Sequence, residues 1–195
     1  MTFKQCAENY IKAHRAGWRN VKHAAQWEAT LATYADPIIG PLPVQLIDTA
    51  LIMKVLEQAV GDRANQAPAS LWSAKPETAS RLRGRIESIL DWAKVRGFRE
   101  GENPARWRGH LSKLLPARSK VRKVEHHAAL PYAELSTFMT DLQSQEGVAA
   151  RALEYAILTA CRTGEVIGAK WDEIDGSQKI WTIPSGRMKA GKEHR

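Results

Sequence analysis

The chain has 195 residues, 44% hydrophobic and 26% charged, which is the composition of a folded globular protein and neither a disordered nor a fibrous one. No apolar run approaches the ~20 residues of a membrane-spanning helix, MTFKQCAENYIKAHRAGW has no signal-peptide core, and two cysteines, Cys6 and Cys161, are too few for a disulfide framework or a zinc site. A cytoplasmic protein with no membrane partner is therefore expected, and its formal charge of +8 points to a polyanion.

The charge is unevenly placed: residues 1–128 carry 21 Lys and Arg against 12 Asp and Glu, whereas residues 129–195 carry 8 against 9. A basic first half joined to a near-neutral second half is the pattern expected of a nucleic-acid-binding module beside another domain.

In chain order, Phe3, Ala7, Tyr10, Ile11 and His14 follow helical spacing up to Gly17. Asn20 is suited to cap a second helix that turns Ala24, Trp27, Leu31, Tyr34 and Ala35 inward and ends at Asp36-Pro37. IIGPLPVQLI (38–47) reads as an extended apolar loop, and Asp48 as the N-cap of a buried helix to about residue 59. Residues 60–74 read as a surface loop. The clearest helix follows, with Pro76 in its first turn and Gly97 closing it. Its inward stripe is Leu82, Ile86, Ile89, Leu90 and Ala93; Arg81, Arg85 and Ser88, with Arg83 beside them, are expected to face away from it.

After an Asn103-Pro104-Ala105 turn and a short helical stretch, ARSKVRKVEHHAALP (117–131) is basic and aperiodic, the best linker in the chain. Helices are expected from Pro131 to about Gln143, from Val148 to Ala160, and from RTGE to about Ala169. WDEID (171–175) and KIWTI (179–183) read as strands joined through Gly176, with Trp181 and Ile183 on an unpaired edge.

These features, in this order, resemble the tyrosine recombinases, specifically phage-type integrases. The resemblance rests on PETASRLRGRIESILDWAKVRG followed by Asn103-Pro104-Ala105, a basic linker, TACRTGEVIGAKWDEID, a strand, and the hairpin RMKAGKEHR. It covers nearly the whole chain and is strongest over 76–108 and 150–195. It implies a mainly α protein: an N-terminal four-helix SAM-like core-binding bundle (1–108), a basic linker (109–128), and the start of a mixed α+β catalytic domain with a small antiparallel sheet (129–195), incomplete where the sequence ends. It further implies a clamp on double-stranded DNA, a homo-oligomer (a tetramer on DNA when full length), and strand transfer through a 3′-phosphotyrosyl bond without metal or other cofactor.

Arg162 matches the family's first catalytic arginine. Phosphoryl transfer places negative charge on non-bridging oxygens, which a planar guanidinium holds two at a time. Glu165, one turn on, would pair with Arg162 or satisfy backbone donors, and reads as orienting rather than chemical. Lys189 matches the hairpin lysine that protonates the leaving 5′-oxygen, with Lys192 as the alternate. The remaining catalytic residues belong downstream. Tyr10, Tyr34, Tyr132 and Tyr155 all precede Arg162 and none matches the nucleophile, so the chain alone is not expected to complete strand exchange.

Expected DNA contacts are Lys22, Gln26, Arg81, Arg83 and Arg85 from the helices, and Arg118, Lys120, Arg122 and Lys123 along the linker. His126-His127 make a poor metal site, and Trp18, Trp27, Trp92 and Trp107 fit core packing better than a stacking platform. Two rival readings remain at this point: a non-catalytic DNA-binding remnant that occupies attachment sites, and a basic helical RNA-binding protein.

Overall fold

The computed structural model describes residues 1–18, 21–60, 69–121 and 127–195. The chain divides into two compact units, Met1–Glu125 and His126–Arg195.

The first unit is helical. Helix α1 (Phe3–His14) starts with a reciprocal cap: Thr2 Oγ1 accepts the Gln5 N–H, and Gln5 Oε1 accepts the Thr2 N–H. It buries Phe3, Cys6, Ala7 and Ile11, one helical stripe. Helix α2 (Val21–Tyr34) buries Ala24 and Leu31. Helix α2 stops just ahead of Asp36-Pro37, as expected, and Pro37 then lies in the first turn of a new short helix, α3 (Asp36–Ile39), where its missing N–H costs nothing. One expectation for the next segment is corrected: residues 38–47 are not extended, since Ile39 is buried in α3 and Val44–Leu46 form a 3-10 turn with Val44 buried.

Asp48 caps α4 (Thr49–Glu57) as its sequence suggests, accepting the Leu51 N–H at 2.9 Å. The stretch read as a surface loop is structured at both ends. Strands β1 (Ala59–Val60) and β2 (Ala69–Ser70) pair antiparallel, Ala59 opposite Ser70. Helix α5 (Leu71–Ala74) then buries Leu71 and Trp72. Trp72 stacks on Trp107 and donates Nε1–H to the Pro116 carbonyl at 3.0 Å, so the loop-like composition of this segment conceals a core aromatic whose polar atom is satisfied.

Helix α6 (Pro76–Val95) packs against α1, α2 and α4. Ala79, Leu82, Ile86, Ile89, Leu90 and Ala93 form its buried stripe. It ends in a Schellman motif: Gly97 takes φ +72, its N–H reaches Lys94 O, and Phe98 N–H reaches Ala93 O. Asn103 fastens the following turn to α6. Its Oδ1 accepts the Ala105 N–H, while Nδ2 donates to Glu87 O and to Asp91 Oδ1, at 2.7–2.9 Å. Part of the expected linker is helical too, as α7 (Arg118–Val121), which packs on α6. Arg122, Lys123 and His126 lie outside the described residues.

The second unit carries α8 (Leu135–Ser144), α9 (Val148–Thr159) and α10 (Thr163–Ile167). Ala160 ends α9 in the left-handed region at φ 52. The strands are shorter than expected. Trp171–Glu173 form a 3-10 turn, and pairing is confined to β3 (Ile174–Asp175) with β4 (Ile180–Trp181). Asp175 Oδ1 accepts from Ser177 N–H, Ser177 Oγ–H and Gln178 N–H, so its side chain builds the connecting turn. The unpaired edge is also corrected: Ile183 exchanges both backbone hydrogen bonds with His194 and is buried.

Candidate active site and nucleic-acid interface

In the first unit, α2 and α6 place Gln26, Thr30, Thr78, Arg81 and Arg85 around one shallow polar cleft. Three residues expected at DNA from sequence are thus brought together, but they are not equivalent. Arg81 projects from the surface and pairs with Glu77 Oε1 through Nε at 2.9 Å. Arg85, expected on the outward face, is instead buried. It donates to the Gln26 carbonyl at 2.7 Å and lies 5.4 Å from the centre of the Trp27 ring. Burial, and then the charge of Arg81, push the Arg85 guanidinium below its ordinary pKa. Arg83 is also largely internal, donating to Glu87 and to the Ala105 carbonyl beside Trp107.

The periodicity sets all three arginines apart from the aliphatic stripe, but only Arg81 faces solvent; Arg83 is largely internal and Arg85 is buried. What periodicity cannot convey is that aromatic rings and backbone carbonyls flank that stripe and offer a guanidinium a place to pack. Trp27 itself stacks with Tyr10 and packs tilted against Trp18, and Trp18, Trp27, Trp92 and Trp107 all pack half-buried against the core. Arg118 is exposed on α7 and pairs with the same Glu77 that holds Arg81. Lys120 is exposed on α7 as well. Lys22 lies in the first turn of α2, its side chain outside what the structure describes, as are Arg122 and Lys123.

In the second unit, Arg162 is the N-cap of α10, with extended backbone at φ −74 and ψ 149. Glu165, in the first turn, reaches back along the chain. Its Oε2 accepts the Arg162 backbone N–H at 3.0 Å and its Oε1 accepts Arg162 Nη1 at 2.8 Å. The Glu165 side chain is 6% exposed and that of Arg162 is 65% exposed. A buried carboxylate therefore fixes the root and one nitrogen of a guanidinium whose remaining donors face solvent. The Arg162 N–H and then its guanidinium hold the Glu165 carboxyl below the usual carboxylate range against the opposing effect of burial, with a smaller pull from His194.

Lys189 lies exposed in the turn Met188–Gly191, closed by the Gly191 N–H to Met188 O bond. Lys192 is exposed on the same loop, which the Ile183–His194 bridge closes. Sequence reasoning passed over another arginine here. Arg187 is 23% exposed at its side chain, donates Nη2–H to Glu173 Oε2, and directs Nη1 to the Glu165 carbonyl at 3.4 Å. Glu173 also accepts Trp181 Nε1–H at 3.1 Å and the Lys170 N–H at 3.3 Å. Burial pushes the Glu173 carboxyl up, but Trp181 Nε1–H, the Lys170 N–H and the charges of Arg187 and Lys170 together leave it below the ordinary range. Both Arg187 and Glu173 stand inside the segments that carry the resemblance, yet neither has a spacing that marks it.

Tyr155 packs tilted on Trp181 with ring centres 5.0 Å apart, and burial pushes its phenol up, the wrong direction for a nucleophile. Among the described residues no group of three or more His, Cys, Asp or Glu is placed to hold a metal ion, and no helix is long and apolar enough to cross a membrane.

Comparison with known proteins finds integrases among those similar to this chain. The chain is 26% identical to the prophage integrase IntZ of Escherichia coli K12 over 98% of its length, and 26% identical to the integrase of enterobacteria phage P4 over 95%. It spans 43% and 38% of the lengths of those two relatives. Among solved structures it is similar to the Tn1549 transposon integrase in complex with transposon right-end DNA, at TM-score 0.68 and 15% identity, covering 94% of this chain and 52% of that one. Residues 3–110 match the phage integrase central domain. With more than half of its length in that match, the chain belongs to the phage integrases of the tyrosine recombinase family.

Proposed function

We propose that this chain acts in site-specific DNA recombination and integration of a mobile element, binding double-stranded DNA and supplying Arg162 and Lys189 to a tyrosine recombinase active site. The observation that carries the reading is the Arg162–Glu165 pair: an exposed guanidinium held by a buried carboxylate at a helix start. Such a group is already oriented for a phosphate, so little reorganisation is needed as charge develops on the non-bridging oxygens. Glu165 orients it without approaching the phosphate. Lys189, on a solvent-exposed turn, donates the proton to the leaving 5′-oxygen. The tyrosine that attacks phosphorus is none of the four in this sequence.

In this reading residues 1–108 are the core-binding domain and 109–128 a linker along the DNA. Residues 129–195 are part of the catalytic domain, and family members assemble as tetramers on DNA in the cytoplasm. Arg81, Arg118 and Lys120 meet phosphates, together with Lys22, Arg122 and Lys123. Gln26 lies at the edge of the same cleft. Arg83 and Arg85 act by shaping that surface.

A salt titration of duplex binding tests the proposal. Six phosphate contacts give a slope of about −5 in log K against log salt, a loss of ~10³-fold between about 50 and 200 mM. A flat response contradicts the proposed clamp.

A further inference from the structure

The loop that bears Lys189 is fastened to the helix that bears Arg162, and one side chain makes the fastening. Arg187, two residues before Lys189, inserts its guanidinium between the Glu165 carbonyl on α10 and the Glu173 carboxylate that follows. Gly168 makes room for it: a Cβ at that position would lie 2.7 Å from Arg187 Nη1. Glu173 is itself held by Trp181 of β4 and by the Lys170 backbone. Glu165 therefore holds both cations, Arg162 through its carboxylate and Arg187 through its carbonyl. Arg187 Nε has no partner among the described residues.

A surface arginine needs none of this. A guanidinium drawn in against a glycine, between a largely buried carboxylate and a helix-end carbonyl, gives geometric specificity rather than net stability. The element it fixes is a turn whose Lys189, Ala190 and Gly191 are exposed.

We infer that Arg187 is a positioning residue that sets the Lys189 turn against α10, so that Lys189 and Arg162 address the same phosphate. This rests on the reading of Lys189 as a DNA-facing cation. A lysine at position 187 keeps the charge, but a single ammonium does not span carboxylate and carbonyl as the planar fork does.

The test is a double-mutant cycle on duplex binding by the intact chain, read as salt dependence. In the native background, Lys189→Ala should remove about one phosphate contact, reducing the affinity drop between about 50 and 200 mM salt by roughly 3- to 4-fold. In Arg187→Ala and Arg187→Lys backgrounds, Lys189→Ala should produce no further change. Gly168→Ala, which keeps every charge but displaces the guanidinium, should behave like Arg187→Ala and serves as the test should Arg187→Ala fail to fold. The Trp181 indole N–H resonance reports folding of the unit. If Lys189→Ala keeps its full effect in the Arg187→Lys and Gly168→Ala backgrounds, the positioning role is overturned and the reading of Lys189 stands. If Lys189→Ala has no effect in the native background, the reading of Lys189 fails and the inference falls with it.

Discussion

Glu77 occupies the first turn of α6 and serves two arginines at once, Arg81 and Arg118. The side chains of Arg81, Glu77 and Arg118 are 64%, 55% and 53% exposed, which makes both pairs surface pairs; each such pair is worth ~0.2–1 kcal/mol. A phosphate that engages both guanidiniums must displace the carboxylate first. Glu77→Gln removes that competition, which amounts to about 0.4–2 kcal/mol for the two pairs, or roughly 2- to 30-fold tighter duplex binding at low salt. The same substitution removes a favourable charge from the positive end of the α6 dipole, costing the fold ~0.3–1 kcal/mol. Binding and stability thus move in opposite directions, and a general weakening of the protein cannot imitate the result. Fluorescence anisotropy of a labelled duplex, titrated across several salt concentrations, measures the change, with urea unfolding as the companion. Unchanged or weaker binding by a folded variant would refute the placement of α6 and α7 against phosphates.

Other consequences follow from single contacts. Arg85→Ala should destabilise the first unit by about 1.5–3 kcal/mol in urea unfolding, because a charge-assisted bond to Gln26 O and the packing on Trp27 are both lost; a neutral result would mean the guanidinium is not held there. Ala160→Gly should stabilise the second unit by about 1 kcal/mol, since Ala160 sits at φ 52, and thermal unfolding would show it. Glu165 and Asp175 have folded-state pKa values below their unfolded values. Their stabilisation is therefore complete above the ordinary carboxylate range, about 4, and is lost as pH falls through the depressed values. An acid titration followed at the Trp181 indole should show this, and Glu165→Gln should flatten it.

Much of the fold is legible because it depends on local chemistry. Asp48 announces a helix start, Gly97 a left-handed stop, and the aliphatic spacing of α6 its buried face. The misreadings occur where a distant partner decides. Trp72 looks like a loop residue until Trp107 and the Pro116 carbonyl are folded against it. WDEID pairs only at its end, because Trp171–Glu173 wind into a 3-10 turn; the Glu173 carboxylate is held by Trp181, Lys170 and Arg187, while its carbonyl still accepts the Thr182 N–H. The same holds for the candidate site. Arg162 is named by the resemblance that RTGE carries, and Glu165 follows as its partner because it lies three residues on, within one helical turn. Arg187 and Gly168 meet only in three dimensions, 19 positions apart, and no period connects them.

Direct competition measures the central claim, that the partner of this chain is double-stranded DNA. The intact protein, bound to a labelled DNA duplex, would be challenged with unlabelled duplex DNA, duplex RNA and single-stranded DNA of the same sequence and length at one salt concentration. Displacement most readily by duplex DNA is the predicted result. More effective displacement by RNA or by the single strand would contradict the account.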